Sequence, residues 1–170
     1  MQNSSRTHRF FSLKYLALLL TIAWLCFIFG NSMQDAVHSA ARSGQILEIV
    51  ESTLEKIGIE TSVTDFWVRK AAHFIEYTLL GVGLMLSLRG FTPRIGRNLT
   101  TVLFLGLLIP MLDESIQILF EGRGPQLTDV WLDYSGVLTG LLVTWGVIGL
   151  IRLRKRRKTD VIHSKARLDC

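Results

Sequence analysis

Cysteine is almost missing from this chain of 170 residues: there are two, Cys26 inside an apolar block and the terminal Cys170. So few, so placed, exclude a disulfide-built scaffold and identify no redox compartment. Proline is equally scarce, with three residues, and the 14 glycines follow no three-residue period, which excludes a collagen-like rod. Acidic charge is the minority, 14 Asp and Glu against 19 Lys and Arg, for a net charge of +5. What the chain has in quantity is apolar sequence, 49% of residues with a mean hydropathy of +0.35, and that excludes a disordered chain.

The apolar residues are gathered into four blocks, roughly Leu13 to Gly30, Ala71 to Leu88, Leu99 to Phe120 and Val130 to Ile151. Each is near the ~20 residues with which an α-helix crosses a ~30 Å hydrocarbon layer. Backbone polar groups in lipid must be paired within their own segment, so the blocks are predicted to be helices. A soluble bundle would show a polar face on every helix at a 3.6-residue period; the first block, LKYLALLLTIAWLCFIFG, is apolar all round. The predicted fold is all-α: a membrane-embedded bundle of four transmembrane helices over residues 13–151, between an N-terminal segment 1–12 and a basic tail 152–170. No internal repeat is evident, and the short connections leave no linker for a second domain.

Basic residues set the expected orientation, because cytoplasmic loops hold the excess of Lys and Arg. Arg6, Arg9 and Lys14 precede the first block, Arg89, Arg94 and Arg97 separate the second and third, and RLRKRRK with Lys165 and Arg167 follows the fourth; together they are 14 of the 19 cations. Both termini are then cytoplasmic, with Asn31 to Lys70 and Glu121 to Asp129 outside. The run RLRKRRK reads as a topogenic stop rather than a nucleic-acid patch, and no nucleic-acid partner is expected. The first block is longer than a signal-peptide core and no small-x-small cleavage site follows it, so it is expected to be retained. In the first outer connection, Ile46, Leu47, Ile49, Val50, Leu54 and Ile57 recur at helical spacing among Glu48, Glu51, Glu55 and Lys56, an amphipathic segment ended by Gly58.

Ionisable groups inside spanning helices are costly and call for a partner or a role. The second helix carries Lys70, His73, Glu76 and Tyr77 in its first two turns; His73 is i,i+3 from Glu76 and i,i+4 from Tyr77, so the three can share a face. In the third, Asp113 lies 14 residues past Leu99, about 21 Å along the axis. The neighbouring carboxylates Asp113 and Glu114 project about 100° apart, which suits one to the bundle and one to the headgroups. Gln117 is within reach of either. Either is expected to pair with Arg123 or His73. Pro110 is expected to loosen this helix below the pair. Arg123 lies in the turn sequence EGRGPQLTD, and Asp129 and Asp133 open the last helix, where Thr128 or Asp129 could cap it. Asn31 and Ser32 end the first helix at the same level. Gly136 and Gly140 make a small-xxx-small step for close helix packing.

The pattern Lys70-x-x-His73-x-x-x-Tyr77, Asp113-Glu114-x-x-Gln117-x5-Arg123-x5-Asp129 and Gly136-x-x-x-Gly140 resembles the VanZ-like family of small bacterial membrane proteins, named after a protein associated with teicoplanin resistance. Ser32 is similar to a serine often seen there; Asp133 departs from the family's usual Asn. The resemblance covers about Phe27 to Leu142. It implies a multi-pass plasma membrane protein tied to envelope chemistry or glycopeptide tolerance, and implies no established reaction.

Two functions follow from the residues. In the first, the polar set at the outer rim binds or shields a lipid-linked or cell-wall component, with Lys70, Tyr77, Gln117, Arg123 and Asp129 as binding residues and the Arg123 fork suited to phosphate or carboxylate. In the second, a rim hydrolase or transferase acts on an envelope lipid or glycan, with His73 or Glu76 as base and Asp113 or Glu114 as acid or metal ligand. No nucleophile elbow, HExxH or paired Asp-x-Asp signature is present, so no metal site and no cofactor are assigned. Membrane lipids and an envelope lipid or glycan are the expected partners, and no oligomeric state follows from the sequence.

Overall fold

The computed structural model of the protein describes residues 2–33, 36–56, 64–92, 95–120 and 126–168, with side chains described at 13–33, 41, 44–56, 64–92, 96–120 and 126–157. Among the described residues there are five α-helices and no strands: α1 (Gln2–Ser32), α2 (Ala36–Lys56), α3 (Asp65–Phe91), α4 (Ile95–Gln117) and α5 (Leu127–Leu168). Four contain stretches long and apolar enough to cross a membrane, at Leu13–Ser32, Asp65–Phe91, Gly96–Gln117 and Leu127–Arg157. The four apolar blocks thus lie in four separate spans.

Boundaries differ from the sequence expectation in physically readable ways. Helix α1 begins at Gln2 and α5 runs to Leu168, because neither flank contains a glycine or proline to stop a helix once the span has nucleated it. Helix α4 stops at Gln117 rather than Phe120, and its last turn tightens into three-residue bonds from Leu119 N–H to the Ile116 carbonyl and from Phe120 N–H to the Gln117 carbonyl. It runs on through Pro110 as one continuous helix. Residues Ile46 to Lys56 lie in α2, which starts ten residues before Ile46, and Leu47, Val50 and Leu54 are half-buried while Ile46 and Ile49 are exposed. Helix α2 packs against α3. Ile57 and Gly58 lie outside the described residues.

Helix α3 is the centre of the bundle, packed most extensively on α5 and also on α1, α4 and α2. Contacts between named residues fix the directions. Phe74 lies opposite Gly136 and Thr78 opposite Gly140, so α3 and α5 are parallel; Thr21 meets Ser87 and Trp24 meets Glu76, so α1 is antiparallel to α3. Gly106 against Val137 and Glu114 against Gln126 make α4 antiparallel to α5. One end of the bundle therefore collects Asn31, Lys70, His73, Asp113, Gln126 and Asp133, and the other collects Lys14, Arg89, Asn98 and the start of the basic run at Arg152.

The interior is apolar between these ends, with Ile28, Tyr77, Leu80, Met85, Val102, Val137 and Leu141 in one buried cluster. The small-residue step works as a seam: a Cβ on Gly136 would stand 2.7 Å from the Phe74 carbonyl oxygen, one on Gly140 would overlap the Thr78 carbonyl oxygen, and one on Gly81 would overlap the Val137 carbonyl oxygen. Backbones approach this closely only where side chains are absent. The outside is the reverse of a soluble protein's. Leu19, Leu20, Ile75, Leu79, Phe104, Leu142 and Leu150 are among many large apolar residues left exposed, a continuous lipid-facing surface that water would not tolerate. At the basic end the Lys14 ammonium lies 5.0 Å and 5.1 Å from the ring centroids of Tyr15 and Phe91, an aromatic collar typical of a headgroup level.

Candidate functional site

The polar end is assembled from all four spanning helices, within about three turns of their ends. His73 is the ninth residue of α3, Asp133 the seventh of α5, and Asp113 the fifth from the end of α4. His73 and Tyr77 share one face of α3 at i,i+4 spacing and point inward; Tyr77 is fully buried, with its hydroxyl against Asp113. Asp113 and Asp133 are 0% exposed. His73 Nδ1 stands 3.6 Å from Asp133 Oδ1, and one ligand atom from each of His73, Asp113 and Asp133 falls within 4.8 Å of the other two. Three helices thus deliver one histidine and two carboxylates to a single buried point.

Around this point Glu76, Glu114 and Lys70 each have partners within the protein. Glu76, one turn beyond His73, turns away toward α1: its Oε1 accepts a 3.1 Å hydrogen bond from Asn31 Nδ2, while the Trp24 indole N–H donates 2.9 Å to its backbone carbonyl. Glu114 accepts from the Gln117 amide at 3.2 Å and from the Gln126 backbone N–H at 2.9 Å. Lys70 forms an ion pair with Asp129, with the ammonium also 5.2 Å from the centroid of the Phe66 ring.

Several expectations are corrected here. Glu114 does not face the headgroups; it is 4% exposed, because the first residues of α5 fold over it and Gln126 bonds it. Gln117 accordingly positions Glu114 and is itself buried. The start of α5 is closed by the Gln126 carbonyl, which accepts from Asp129 N–H and Val130 N–H, so neither Thr128 nor Asp129 is the cap. Asp129 instead pairs with Lys70, which is tied down rather than snorkelling. The carboxylate beside His73 is Asp133, 3.6 Å from its Nδ1, a residue noted in sequence as opening the last helix and as departing from the usual Asn of the family it resembles. Arg123 and Glu121 lie outside the described residues.

Four long apolar helices with His73, Asp113 and Asp133 gathered near one end define a multi-pass membrane protein. The chain belongs to the VanZ/LLP1 family, whose model matches residues 17–151. Comparison with curated proteins and with solved structures gives no match.

Proposed function

We propose that the polar end faces the outside of the bacterial plasma membrane and binds the headgroup of a lipid-linked envelope component. The observation that carries this reading is the convergence of His73, Asp113 and Asp133 from three helices at one depth. Burying two carboxylates beside a histidine in hydrocarbon is costly and needs an interaction to offset it. A headgroup rich in hydroxyl, amine or phosphate functions supplies such interactions while its acyl or prenyl chain stays in the bilayer, alongside the exposed Leu79 and Leu142. Arg123, four residues ahead of α5, adds a planar fork suited to phosphate or carboxylate.

The orientation is supported by the 14 basic residues that the sequence assigns to the opposite side. Reporter fusions after Arg97 and Lys158 are expected to read cytoplasmic and one after Gly58 external; a cytoplasmic reading at Gly58 would move the site to the inner leaflet and end the envelope assignment.

Binding itself is tested by native mass spectrometry of the detergent-purified protein with polyprenyl phosphate and with its glycan-bearing pyrophosphate. Wild type is expected to retain one of them, with at least a tenfold loss in Asp133→Asn and in Arg123→Lys, which replaces a bidentate fork with a point ammonium. Retention unchanged in both variants, or no retention by wild type, removes the proposal. The rim hydrolase or transferase is the second reading, favoured by the His73–Asp133 pairing, which suits a general base. Release of inorganic phosphate or transfer of the headgroup in the same incubations distinguishes it from binding alone.

A further inference from the structure

We infer that His73, Asp113 and Asp133 form a binding site for one divalent transition-metal cation of the zinc or manganese type. The donor set is suited to it: an imidazole nitrogen and two carboxylates, each from a different helix, with their ligand atoms within 4.8 Å of one another. Ligands about 2.0–2.2 Å from a tetrahedral ion stand about 3.4 Å from each other. The separation of 3.6 Å between His73 Nδ1 and Asp133 Oδ1 is too long for a hydrogen bond and close to that edge. The Asp113 ligand atom lies within 4.8 Å of the other two, so that a side-chain rotation brings it to the same spacing.

A second, independent observation points into the cluster. Asp133 is 0% exposed, and neither of its carboxylate oxygens receives a hydrogen bond from any described residue. A fully buried carboxylate without a donor is rare and indicates a group of another kind beside it. Among the described residues, the Lys70 ammonium is committed to Asp129, and the neighbouring acids Glu76 and Glu114 are bonded to Asn31, Gln117 and Gln126. Metal binding takes the two carboxylates ionised and the imidazole neutral, a set with a charge of about −2 that one divalent cation cancels. The imidazole ligand favours a borderline cation over magnesium or calcium, which prefer oxygen alone. Three protein ligands leave at least one position open, the arrangement of a site that takes water or an anionic ligand group. The cation site stands on the donor set and does not depend on which envelope component binds.

The test uses the full chain, purified in detergent without an affinity tag, stripped with a chelator and passed through size exclusion after separate additions of Zn2+, Mn2+ and Mg2+. Bound metal is expected at about one Zn2+ or Mn2+ per chain, with Mg2+ not retained, and the metal is expected to raise the melting temperature. Asp133→Asn and His73→Gln are expected to weaken binding at least tenfold, while Glu51→Gln on the exposed face of α2 leaves it unchanged. Less than a tenth of an ion per wild-type chain overturns the site, whether or not the variants fold. Equal affinity in folded Asp133→Asn and His73→Gln overturns it as well, by placing the metal elsewhere.

Discussion

Gly140→Leu is expected to remove most of the folded protein from the membrane. A Cβ at this position overlaps the Thr78 carbonyl oxygen and would stand 2.9 Å from the Val82 nitrogen, both of them backbone atoms of α3 that no rotamer change can move. A leucine therefore forces α3 and α5 apart along the seam that carries the largest helix contact of the bundle. Overpacking costs about 1–3 kcal/mol and occasionally more, and backbone neighbours that cannot yield put this position at the upper end, a large fraction of a stability of about 5–15 kcal/mol. Fluorescent size exclusion of detergent extracts should show more than a tenfold loss of the monodisperse peak. Gly136→Ala is expected to be milder but still harmful, with its Cβ 2.7 Å from the Phe74 carbonyl. Gly146→Leu is the control: nothing lies within 4 Å of its added Cβ, and its yield should equal that of wild type. Equal yields for Gly140→Leu and Gly146→Leu would mean that the seam does not hold the helices.

The second large effect is expected at the Lys70–Asp129 pair. The two side chains are 15% and 24% exposed, sheltered enough that removing one partner leaves an uncompensated charge at the membrane rim. Lys70→Met should lower stability by about 1–3 kcal/mol, less than for a fully buried pair because water reaches both groups. Lys70→Met combined with Asp129→Leu should recover most of that loss, since two apolar residues of similar volume replace the pair without orphaning a charge. The double-mutant cycle is read from unfolding in mixed micelles, and additivity of the two single effects would show that the ions do not interact. The pair also pins the start of α5 to the first turns of α3, so its loss should loosen the site before it unfolds the bundle.

Much of this was legible in the sequence, and the remainder was not for definite reasons. The spans follow from block length and the hydrocarbon thickness alone, and the glycine step announced a close helix contact without naming α3 as its partner. His73, Tyr77 and Asp113 could be placed at one depth by counting residues along their helices. Their partners could not, because a helical wheel gives a direction but not a neighbour. Asp113 and Glu114 looked like an inside–outside pair; the start of α5 covers Glu114, and that cover is a tertiary fact. Glu76 shares the spacing of His73 yet turns to Asn31 on α1, and Asp133, which meets His73, was hidden among the ordinary acids of a helix start.

The parallel seam also fixes when the site comes into being during synthesis. Helix α1 docks on α3 through Thr21 to Ser87 and Trp24 to Glu76, contacts already possible when only the first half of the chain has entered the membrane. His73 and Asp113 are in the bilayer by then or soon after, yet the third member of their cluster arrives with α5, the last span to be inserted. Without α5, the first three spans leave uncovered the α3 surface that meets Gly136 and Gly140, and they lack Asp133. Insertion of α5 covers that surface and completes the cluster in one event, so a chain interrupted before Val130 is a membrane protein without a site.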